Sequence, residues 1–126
     1  MAAPLHGQTI LIVEDDPFIA LDMELTLSSA GAQVISALHL REAFEAVQNA
    51  EITAAVLDVN LGEGDCAPLC EVLARRQIPF IFHTGYMIGG PLERWPRPIV
   101  LKPATQDELV ATLAEATLQH RSVASC

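Results

Sequence analysis

With 126 residues the chain has the size of one domain, long enough to bury a core and too short for two ordinary ones. Apolar residues make up 51% and charged residues 18%, which excludes an intrinsically disordered chain. Sixteen acids against seven bases, with Lys102 the lone lysine, give a formal net charge of -9, a surface that repels nucleic-acid backbones and anionic membranes alike.

In chain order, strand-like and helix-like segments alternate, the pattern of an α/β doubly wound parallel sheet with helices on both faces. The first strand is read at Thr9–Val13, followed by a helix with Pro17 in its first turn, Phe18, Leu21 and Leu25 at helical spacing, and a stop before Gly31. A second strand, Gln33–Ala37, precedes a helix over Leu40–Ala50 whose apolar face carries Ala43, Phe44 and Val47. The third strand, Ala54–Asp58, leads through a Gly62-Glu63-Gly64 loop into a helix from about Cys66 to Arg76, and the fourth strand is Phe80–His83.

Gly85, Gly89, Gly90, Pro91, Pro96 and Pro98 crowd the stretch that follows, so a fourth helix there is predicted short, distorted or absent. A fifth strand is read at Ile99–Leu101. The last helix opens with Thr105 and Glu108 at capping-box spacing, shows Leu109, Leu113 and Ala116 on one face, and is expected to fray after Arg121.

No stretch approaches the roughly 20 apolar residues of a membrane helix. The first residues lack the basic and apolar regions of a signal peptide, so a cytoplasmic location is expected. Cys66, Cys70 and Cys126 are odd in number, and no second Cys or His pair completes a zinc site around the first two, which read as core-facing side chains. His6, His39, His83 and His120 read as structural or surface residues.

Four of the apolar runs end in complementary polar residues: Glu14-Asp15-Asp16, Asp58, His83-Thr84 and Lys102. Parallel strands deliver these to one carboxyl edge, where open α/β sheets bind ligands. Two unit charges about 4 Å apart repel by roughly 4 kcal/mol at an effective dielectric of ~20, so gathered acids call for a cation. All-oxygen ligands suit Mg2+, which keeps waters and recruits phosphate oxygens. Asp58, alone after a buried run, is placed to act as a nucleophile toward phosphorus and form an aspartyl-phosphate. Phosphoryl transfer then needs positioning and charge neutralisation, for which Thr84 and Lys102 are suitable types. Asp16, before Pro17, reads instead as a helix cap.

This ordered set resembles the receiver domain of two-component response regulators, from about Thr9 to Gln119. The resemblance implies a flavodoxin-like five-stranded parallel sheet of order 2-1-3-4-5. It assigns Mg2+ to Glu14, Asp15, Asp58 and the main-chain carbonyl of Asn60. It makes Asp58 the phosphoacceptor and gives the phosphoryl oxygens to Thr84 and Lys102, the latter followed by Pro103.

The chain departs from the family pattern in three places. Ile99 stands where receivers commonly have Tyr or Phe, so the usual hydroxyl–aromatic switch does not carry over. The Gly/Pro-rich stretch replaces the usual fourth helix and, with it, part of a common dimerisation face. Phe82-His83-Thr84-Gly85-Tyr86 is similar to the Phe-Ala-Thr-Gly signature of a subgroup of single-domain receivers, with His83 in place of Ala. Tyr86 is therefore the expected reporter of phosphorylation, through ordering of the segment around it.

The expected protein is a single receiver, residues 1–126 with a core at about 9–119, and no output domain, since the chain ends one helix after Lys102. A histidine kinase or phosphotransfer protein is the expected donor and an unidentified protein the downstream partner, with no nucleic acid or membrane involved. Such a domain takes part in its own phosphorylation but is not an enzyme. The alternatives are a phosphorylation-independent receiver-like binding scaffold, which would be expected to lack Asp58 or Lys102, and a phosphatase-type hydrolase. In the latter an Asp-x-Asp pair is typical, whereas Asp58-Val59-Asn60 has no second acid.

Overall fold

A computed structural model of the chain describes residues 3–58, 66–84, 99–101 and 106–124. Its strands are β1 (Thr9–Val13), β2 (Gln33–Ala37), β3 (Ala54–Leu57), β4 (Phe80–Thr84) and β5 (Ile99–Leu101). The helices among the described residues are α1 (Pro17–Ser29), α2 (Leu40–Asn49), α3 (Ala67–Arg75) and α4 (Gln106–Ala124). All pairings are parallel and the strand order is β2-β1-β3-β4-β5.

Strand alternation divides the core in two. Leu11, Val13, Ala55, Leu57, Phe80 and Phe82 pack with residues of α2 and α3 on one face of the sheet. Ile10, Ile12, Ala54, Val56 and Ile81 pack with Met23 and Leu27 of α1 and Leu109 and Leu113 of α4 on the other. β1 and β3 are thus buried on both faces, which is why they read as unbroken apolar runs. Phe80 and Phe82 meet edge to face, their ring centres 5.7 Å apart, a contact that adds about 0.5–1.5 kcal/mol beyond burial. Cys66 and Cys70 are buried in the same layer.

One expectation needs correction. The face of α1 marked by Phe18, Leu21 and Leu25 is the solvent face, with these residues 83%, 53% and 60% exposed, and α1 buries Ala20, Met23, Thr26 and Leu27 instead. The helix carries apolar residues on both its exposed and its buried sides, so helical spacing alone does not choose the side. The last helix extends past Arg121 to Ala124. The expectations for a fourth helix between Thr84 and Lys102, for Tyr86 and for the Thr105 cap concern positions outside the described residues.

Candidate functional site

The register of the three central strands builds the site. Val13 lies beside Leu57 and Leu57 beside Phe82, so the residues that follow in β1 and β3, Glu14 and Asp58, emerge side by side at the carboxyl edge. The Asp58 amide donates to the Val13 carbonyl at 2.9 Å, and the Glu14 amide donates to the Ala37 carbonyl at 3.1 Å. Both backbones are therefore held by the ladder up to the point where the carboxylates leave it. Carboxylate oxygens of Glu14, Asp15 and Asp58 lie within 4.8 Å of one another.

Glu14 and Asp58 are 1% and 4% exposed, whereas Asp15 is exposed. Burying two carboxylates together disfavours ionising both unless a cation or donors compensate. The Asp16 amide supplies one such donor, reaching a Glu14 carboxylate oxygen at 3.3 Å. The Asp16 side chain itself turns to the helix. Its Oδ1 accepts from the amides of Phe18 at 2.9 Å and Ile19 at 3.4 Å, capping α1 behind Pro17. Three consecutive acids thus divide their work, two converging with Asp58 and the third holding the helix start.

At the far side of the edge, Thr84 ends β4 beside Leu101 of β5, and Ile99 lies beside Phe82. His83 is buried, and by alternation it shares the sheet face of Ile81. Asn60, Tyr86 and Lys102 lie outside the described residues. Among the described residues no helix is long and apolar enough to cross a membrane.

The family model described as the response regulator receiver domain matches residues 10–114. The chain belongs to that family. This receiver is 28% identical over 119 residues to the phyllosphere-induced regulator PhyR of Methylorubrum extorquens, covering 90% of the chain and 45% of PhyR. It spans less than half the length of that curated relative. Among solved structures, SdrG from Sphingomonas melonis Fr1 is 38% identical with a TM-score of 0.72, over 88% of this receiver and 96% of SdrG. A CheY-like receiver domain protein from Methanospirillum hungatei JF-1 has a TM-score of 0.82 at 23% identity, over 91% and 97% of the two chains, a likeness of fold alone. The flavodoxin-like architecture of this receiver is therefore that of its family.

Proposed function

We propose that this receiver accepts a phosphoryl group on Asp58 from the phosphohistidine of a kinase or phosphotransfer protein. A carboxylate oxygen of Asp58 attacks phosphorus, the bond from phosphorus to the donor's imidazole nitrogen breaks, and an aspartyl-phosphate and a neutral histidine result. The observation that carries this reading is the convergence of the Glu14, Asp15 and Asp58 carboxylates at the carboxyl edge.

The donor set fits a hard divalent cation: all oxygen, two groups buried and one open to water. Glu14, Asp15 and Asp58 would hold Mg2+ together with the carbonyl of Asn60. Mg2+ supplies charge neutralisation to the phosphoryl oxygens and lets two buried carboxylates ionise together. The Thr84 hydroxyl and Lys102 ammonium serve the remaining phosphoryl oxygens, a role supported by their places in the family pattern, Thr84 as the last residue of β4 and Lys102 directly after β5 in the sequence. The signal leaves by protein contact or by relay of the phosphoryl group to another protein.

The test is incubation of the wild type and of Asp58→Asn with acetyl phosphate, with and without Mg2+, read as acid-labile incorporation of phosphate. Label on the wild type alone, dependent on Mg2+, is expected. An unlabelled wild type would turn the reading toward a phosphorylation-independent binding scaffold, and continuous phosphate release from small phosphoesters toward a hydrolase.

A further inference from the structure

The opposite, amino edge of the sheet holds a cleft of about 300 Å³ where the starts of β1 and β3 meet the turn after α3 and the flank of α4, a volume at the small end of ligand sites. It is lined by Gln8, Thr53, Arg76, Gln77, Ile78 and Thr117 among others. Gln8 is 8% exposed and lines the cleft. Its carboxamide brings a donor and an acceptor to the cleft wall.

Its neighbours extend the same chemistry. Arg76 spends one guanidinium N–H on the Val47 carbonyl at 2.7 Å, leaving further donors and the full charge. Gln77 sits at φ 59, a left-handed position where glycine is the unstrained choice, so a side chain is kept there at a cost. Thr117 is buried and donates its hydroxyl to the Ala114 carbonyl at 2.9 Å, which leaves its oxygen able to accept. Ile78 and Pro79 add apolar wall.

We infer that this amino-edge cleft is a second ligand site, which takes a small organic carboxylate bearing an adjacent amide or hydroxyl group. The carboxylate pairs with Arg76, the adjacent group with the Gln8 and Gln77 carboxamides, and the carbon skeleton rests on Ile78 and Pro79. The site does not depend on Asp58, which lies at the other end of the strands.

The probe is N-acetylglycine, titrated into the 15N-labelled full chain and followed by the side-chain amide signals of Gln8 and Gln77. Saturable shifts confined to the cleft are expected, equally in the wild type and in Asp58→Asn, with at least tenfold weaker binding in Gln8→Met. Gln77→Gly, which relaxes the backbone and so folds readily, must also weaken binding. Comparable binding of N-acetylglycinamide, which has no carboxylate, or of inorganic phosphate would overturn the assignment. So would unsaturable shifts or an unchanged affinity in either variant. Tighter binding of a longer peptide ending in glycine identifies the carboxylate as a chain terminus, and equal binding identifies it as a free small molecule.

Discussion

Two helices of this receiver end on the same pair of hydrogen bonds but with different residues at the left-handed position. After α1, the Gly31 amide donates to Ser28 and the Ala32 amide to Leu27, with Gly31 at φ 102. After α3, the Gln77 amide donates to Ala74 and the Ile78 amide to Leu73, with Gln77 at φ 59. Gly31 has a further reason to be glycine, since a Cβ there would lie 2.7 Å from that of Ala3. For Gln77 a left-handed penalty of roughly 1–2 kcal/mol, less about 0.5–1 kcal/mol for the added chain entropy of glycine, leaves Gln77→Gly stabilising by about 0.5–1 kcal/mol. Urea denaturation checks this, and a lowered midpoint would contradict it. Asp16 offers the converse case. Its carboxylate is committed to the first amides of α1, so Asp16→Ala is expected to cost about 1 kcal/mol of stability while acetyl phosphate labels Asp58 at an unchanged rate. A loss of labelling in a folded Asp16→Ala protein would put this third acid back among the phosphorylation residues.

At the scale of elements, α1 carries its apolar residues on two sides, and only one faces the sheet. Phe18, Leu21 and Leu25 form an exposed line that begins next to the acid cluster. Contiguous exposed apolar surface on an otherwise acidic protein marks a contact face, and a donor reaching Asp58 has to approach this edge. Leu21→Ser is therefore expected to leave stability within about 0.5 kcal/mol. It should slow transfer from a phosphohistidine donor at least tenfold and leave labelling by acetyl phosphate unchanged. An equal loss with both donors would assign Leu21 to the fold instead. The side of α1 was not legible in the sequence, because spacing reports that a stripe exists and not which stripe a sheet covers. The strands were legible for the opposite reason: Ile10–Val13 and Ala54–Leu57 are buried on both faces, so every position in them is apolar. The acids of the candidate site were legible because Glu14 and Asp58 each directly follow such a run and Asp15 comes next to Glu14. Gln8, Gln77 and Thr117 were not, since amides and hydroxyls scattered along a chain have no spacing that announces their meeting at one cleft.

For the whole molecule, the metal binding proposed for the acid cluster would be coupled to folding. Glu14 and Asp58 are buried with carboxylate oxygens within 4.8 Å of one another in a chain whose formal net charge is already -9, so a bound cation would relieve repulsion in the native state that the unfolded chain escapes. Two consequences have opposite dependence on Mg2+. Without it, Asp58→Asn removes one charge from the cluster and is expected to raise stability, by on the order of 1 kcal/mol given pair repulsions of roughly 4 kcal/mol at close range. With it, the wild type gains by mass action, about 2.7 kcal/mol at a hundredfold excess over Kd, and Asp58→Asn gains less because it has lost a ligand. The two denaturation midpoints should therefore converge or cross as Mg2+ rises. General screening of a surface of this charge would also stabilise the fold, since charges farther apart than about 10 Å are screened at 0.1 M salt. It would act on both proteins alike, so NaCl at matched ionic strength is the control. Midpoints that rise in parallel, or equally well in NaCl, would mean that the carboxylates converge without holding a metal, and the proposed phosphorylation chemistry would lose its cation.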